Sequence, residues 1–173
     1  RPAEASLDFS GEQLGFNVNG KKLPPYFWHD LGPVDFERLY HAGQTGINIQ
    51  CFVLYSRTLA YDKKTRDEHV ANMHQQIRNT LRVQPNTYFI LKIDLRPDPE
   101  WLRKNPAELN INAFGRSTTY IPGEPGIVSF ASAKYASDCR DFVLEIIHSL
   151  QAAPYGNRVI GYCPWICGQP RAC

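Results

Sequence analysis

Lys92, Asp94 and Arg96 alternate with Leu91, Ile93 and Leu95 in the run NTYFILKIDLRP. A period of two predicts a strand with charge on one face and hydrocarbon on the other. Charges on a strand facing a protein interior must pair with each other or meet a ligand, because an unpaired buried charge is costly. A salt-bridge layer and a binding surface explain the row equally well. Trp28, His29 and Asp30 form a second candidate group: an aromatic plane beside polar atoms suits a sugar, whose C–H face stacks on rings while its hydroxyls seek hydrogen bonds. The competing reading makes Trp28 core and Asp30 a helix cap. Tyr55, Ser56 and Arg57 end another strand-like run, where polar residues are expected in any case.

Asp98, Glu100 and Trp101 follow Arg96 directly. Asp98 and Glu100 are the nearest approach to paired carboxylates, yet Asp-Pro-Glu fits helix capping better. The five histidines contain neither H-x-x-x-H nor H-E-x-x-H, and His69 and His74, five apart, fall on different helix faces. Among the five cysteines, Cys51 and Cys139 sit in apolar contexts that predict buried, inert thiols. Cys163, Cys167 and Cys173 match no standard zinc or redox spacing, so no metal or cofactor is assigned. A redox role for Cys163 and Cys167 is the weakest reading.

The elements that must position these residues follow from periodicity. Asn19-Gly20 between short alternating runs predicts a type I′ hairpin within the first 24 residues. PPYFWHDL reads as a first strand, and Gly32-Pro33 as the start of a helix carrying Phe36, Leu39 and Tyr40 and closed by Gly43. The run from Gly46 to Ser56 reads as a strand buried on both faces. A capping box of Thr65 and Glu68 opens a helix with the stripe Val70, Met73, Ile77 and Leu81. After the strand bearing the charged row comes a long irregular stretch, Asn105 to Gly126, which reads as a functional lid or a disordered loop on the side where α/β enzymes bind ligands. A helix with Tyr135, Cys139, Phe142, Val143, Ile146, Ile147 and Leu150 then leads to a fourth strand, Arg158 to Tyr162, and an atypical Cys/Pro-rich tail, 163–173.

Strands alternating with helices predict an α/β fold with a parallel sheet. No strand is followed by a glycine-rich phosphate loop, which argues against an open nucleotide-binding sheet. With 43% apolar and 21% charged residues, the composition is that of a protein with a real core. A net charge of +2 excludes an electrostatic case for nucleic acid. No apolar run has membrane-spanning length, so no membrane partner is expected. The opening RPAEASLDF has neither an initiator Met nor signal-peptide character, which predicts a processed or excised chain.

VNGKKLPP, FERLYHAGQTGINIQ, FILKIDLRPDPEWLRKNPAE, SFASAKYASDCRDFVLEIIHSL and PYGNRVIGY together resemble the N-terminal half of a beta-galactosidase-like glycoside hydrolase, close to family 42 and its relatives in clan A. The resemblance covers about residues 15 to 162. It implies a partial (β/α)8 TIM barrel of about four βα units behind a short β-hairpin, with domain limits at 1–24, 25–162 and 163–173. It also implies retaining hydrolysis of β-glycosides by two carboxyls about 5–5.5 Å apart, after the fourth and seventh strands. The fourth strand ends at Tyr162 and no Asp or Glu follows it, so neither catalytic carboxylate is assigned and a truncated or frame-shifted reading is expected. The expectation is a carbohydrate-binding chain that hydrolyses nothing and self-associates through exposed barrel edges, with Trp28, His29, Asp30, Tyr55, Asp94, Arg96 and Trp101 facing the sugar. The alternative is a complete small α/β carbohydrate-binding or interaction domain without catalysis.

Overall fold

The computed structural model describes residues 3–11, 14–24, 26–29, 35–54, 59–60, 62–119, 123 and 125–165. The N-terminal segment forms β1 (Ala5–Asp8), β2 (Gly15–Val18) and β3 (Lys21–Leu23), paired antiparallel in that order. The Asn19-Gly20 turn occurs as expected: both residues have positive φ, 52° and 80°, the handedness that lets a two-residue turn match strand twist. β1 was not anticipated. It is held to the turn by Glu4 N–H donating to Asn19 Oδ1 at 2.9 Å and Asn19 N–H donating to Glu4 O at 2.7 Å.

The rest is an α/β arrangement. β4 (Trp28–His29) leads to α1 (Phe36–Gln44), β5 (Ile49–Leu54), α2 (Lys63–Val83), β6 (Tyr88–Asp94), α3 (Pro99–Lys104), α4 (Ala133–Ala152) and β7 (Val159–Trp165). The four strands are parallel and lie in the sequential order β4-β5-β6-β7.

Several boundaries differ from expectation for local reasons. The described part of the first strand is two residues long. α1 begins after Asp35, whose carboxylate accepts from Arg38 N–H at 3.1 Å, so an Asp cap supplies the start expected at Gly32-Pro33. α1 also runs through Gly43 to Gln44. Gly46, at φ +86°, follows its end, because the left-handed backbone needed there tolerates glycine best. The cap of α2 lies three residues before the expected one, at Asp62, and the helix starts at Lys63. Asp62 accepts from both Thr65 N–H (2.8 Å) and Thr65 Oγ1 (2.7 Å), making Thr65 the third helical residue. β7 continues to Trp165, so Cys163, Pro164 and Trp165 belong to the sheet and not to the tail. Pro164 is tolerated because β7 is an edge strand among the described residues, where half of the backbone N–H groups have no ladder partner to lose.

Two apolar clusters occupy opposite sides of the parallel sheet. Phe89, Leu91, Ile93 and Leu95 pack with Met73 and Ile77 of α2, Trp101 and Leu102 of α3, and Tyr135, Phe142, Ile146 and Leu150 of α4. On the other side Val18 and Leu23 of the hairpin pack on Ile49, with Phe16, Tyr88, Ile90 and Ile160 around them. Since Ile49, Tyr88 and Ile160 begin their strands or nearly so, the hairpin covers the strand N-terminal end of that face.

Candidate functional site

The strand C-terminal ends hold the charged row. Asp94 ends β6 and its side chain is 1% exposed. Arg96 lies just past the strand and bends back: its Nε donates to both carboxylate oxygens at 3.0 Å and its Nη2 to Oδ2 at 2.6 Å. Its backbone N–H adds a bond to Oδ1 at 3.1 Å. The period-two row therefore ends at Asp94, and Arg96 joins it through a local turn that a carboxylate two residues earlier nucleates. The guanidinium side chain remains 38% exposed, so its outer edge meets solvent. A carboxylate engaged by so many donors is a fixed acceptor and a poor nucleophile, which suits positioning and binding over covalent chemistry.

Lys92, two residues earlier, is half-buried and lies opposite Cys163 of β7. Burial pushes the Cys51 thiol pKa up, with nearby Lys92 opposing the shift and Cys163 adding to it. Cys51 is buried, as expected of an inert thiol, whereas Cys163 is exposed. Cys139, in α4, is also buried; its thiol pKa is pushed up to about 11, first by burial.

The other expected residues are distributed differently. Trp28 is in register with Gln50 and, one strand on, with Phe89, which places it on the helix-covered face and away from Lys92 and Asp94. Its indole nitrogen is buried without a hydrogen-bond partner among the described residues. For His29 the register position opposite Cys51 is described, and Asp30 and Tyr55 lie outside the described residues. Trp101 is 2% exposed between α3 and α4, and its Nε1–H donates to Asp138 at 2.8 Å. It borders a cleft of about 270 Å³ on the helical layer with Arg66, Lys134 and Phe142, not the strand-end face. Asp98 caps α3 through Trp101 N–H at 2.6 Å, which is the capping role weighed against a catalytic one.

Two anchors fix the loops at this end of the sheet. Tyr135 Oη donates to Leu95 O at 3.1 Å, so α4 begins beside the end of β6; burial raises that phenol's pKa. Ser132 caps α4 and its hydroxyl donates to Glu108 at 2.6 Å, tying the start of the long connection to the same place. The sequence pattern had marked Tyr135 only as part of an apolar stripe, because a hydroxyl's partner forty residues away leaves no local signal. Among the described residues no group of three or more His, Cys, Asp or Glu side chains is placed to hold a metal ion, and no helix is long and apolar enough to cross a membrane.

No family model, curated protein or solved structure matches the chain.

Proposed function

We propose that the chain is a β-glycoside-binding stretch of a (β/α)8-type barrel related to retaining glycoside hydrolases, which binds carbohydrate and by itself hydrolyses nothing. The observation that carries this reading is the Asp94–Arg96 pair at the C-terminal end of β6, a buried carboxylate clamped by a partly exposed guanidinium. Such a pair holds the outer donors of the Arg96 guanidinium in fixed geometry, as recognition of a sugar hydroxyl requires. Support for the barrel arrangement comes from four parallel strands in sequential order and from a hairpin over the opposite, strand N-terminal end. In a barrel the face bearing Lys92 and Asp94 would point inward, and the strand C-terminal ends would form the binding mouth.

Asp94 and Arg96 are the core of the proposed site, and His29 joins by its register position at the end of β4; Asp30 and Tyr55 lie outside the described residues. Trp28 and Trp101 drop out of it because they pack on the helical side. β4 and β7 are the edges of the sheet among the described residues, and unpaired edge groups favour further pairing. Self-association that rises with concentration is therefore expected, and sedimentation velocity measures it.

The decisive experiment is a calorimetric or NMR titration of the purified chain with methyl and aryl β-glycosides. Asp94→Asn and Arg96→Ala should weaken binding by about 10- to 100-fold, the value of a charge-assisted hydrogen bond. If no β-glycoside binds, the reading fails. Aryl release abolished by Asp94→Asn or Glu100→Gln would show a catalytic carboxylate in the chain and overturn the claim of no hydrolysis.

A further inference from the structure

The described part of the connection between α3 and α4, residues 105–119, 123 and 125–132, holds an aromatic ring out in solvent. Phe114 is 86% exposed. Its backbone has little freedom: Asn112 Oδ1 accepts from Phe114 N–H at 2.9 Å and from Arg116 N–H at 3.1 Å. Asn112 N–H donates to Arg116 O at 2.9 Å, Gly115 N–H donates to Asn112 O at 3.0 Å, and Gly115 takes a φ of +73° that closes the turn. Behind the tip, Asn110, Thr118 and Ile127 are linked by three backbone hydrogen bonds of 2.7–3.1 Å. Gly126, at φ +150°, lets the chain press against Ser117 and Leu109 where a Cβ would meet atoms at 3.1–3.3 Å. The base is fixed in turn by Val128, 5% exposed in the main core, and by Ser129 N–H donating to Glu108 O at 2.8 Å.

Burial does not account for Phe114, since its ring touches no core, and a rigid turn keeps it from folding inward. Because Glu108 is bonded to the cap of α4, and α4 begins beside Leu95, the excursion rises from the same end of the sheet as Asp94 and Arg96. We propose that Phe114 is a stacking platform for a sugar ring of an extended β-linked oligosaccharide, one or more residues away from the sugar held by Asp94 and Arg96. The inference rests on the β-glycoside reading above and deepens it to substrates longer than one sugar. A pinned ring flanked by Asn112 and Arg116 fits the flat C–H face of a pyranose and its rim of hydroxyls.

The test compares the wild-type chain with Phe114→Ala, Phe114→Leu and Phe114→Tyr, titrated by NMR with methyl β-glycosides and with the matching β-linked tetrasaccharides. Phe114→Ala and Phe114→Leu should weaken tetrasaccharide binding by about three- to tenfold, Phe114→Tyr should preserve it, and the methyl glycosides should bind all four proteins alike. Tetrasaccharides that bind wild type and Phe114→Ala equally overturn the platform and leave the β-glycoside reading standing. Phe114→Leu binding as well as wild type overturns stacking as the cause. If neither ligand class binds the wild-type chain, both proposals fall.

Discussion

The two faces of β6 obey different rules. On the side of α2, α3 and α4, Phe89, Leu91 and Ile93 are fully buried, and stability there comes from hydrocarbon removed from water. On the other side the same strand carries Tyr88 and Ile90 under the hairpin, then Lys92, then Asp94 with its guanidinium clamp. That face grades from apolar to charged along one strand, so its far end depends on pairing. A buried charge pair is weak evidence for stability and stronger evidence for a site, since apolar residues would fill the same space at less cost.

The largest expected effect lies on the helix-covered face. Phe89→Ala should cost about 3–5 kcal/mol in urea unfolding, and Ile90→Ala, one residue on and facing the hairpin, about half as much. Equal losses would erase the distinction between the faces. Asp94→Asn should cost about 1–3 kcal/mol by the same measurement, less than a fully buried broken pair because Arg96 can recover water. A neutral or stabilising result would mean that the pair serves binding alone and would sharpen the contrast.

Smaller effects probe the helical layer. Gly43 lies against Gln84, and a Cβ there would sit 2.5 Å from the Gln84 amide nitrogen. That amide donates to Ile47 O at 3.1 Å and Asn48 Oδ1 at 3.0 Å, so Gly43→Ala must displace it and should cost about 1 kcal/mol in thermal unfolding. His74 of α2 contacts Ser149 Oγ at 2.7 Å with Nε2 and Tyr155 Oη with Nδ1. Burial, with help from Arg78, lowers its pKa below the ordinary histidine value. The unfolded chain then takes up the proton more readily, so this contribution is present above about pH 6.5 and is lost as the pH falls through the lowered value. Melting at pH 7.5 and 5.5 should show a smaller acid loss for His74→Gln than for wild type. An unchanged loss would place the acid sensitivity elsewhere.

Much of the architecture was legible because it is written locally. The Asn19-Gly20 turn, the stripe Met73-Ile77 in α2, the stripe Tyr135 to Leu150 in α4 and the alternation of β6 each follow from steric or periodic rules acting within a few residues. Helix starts were read less well, since Asp35 and Asp62 compete with neighbouring Pro and Thr signals for the same role. The proposed site was legible in half. Asp94 and Arg96 stood out by charge on an apolar strand, whereas Trp28 and Trp101 were indistinguishable from ligand platforms until register and packing placed them on the helical side.

The sequence by itself determined most of the strands and helices, β1 excepted, the α/β class, and the charged end of β6, because periodicity and propensity act through neighbours along the chain. Tertiary structure alone decided that the hairpin covers one end of one face, that Trp101 spends its N–H on Asp138, and that α4 is anchored at Leu95. Those contacts join residues tens of positions apart, and their free energy comes from shared burial and from hydrogen bonds with no local signature.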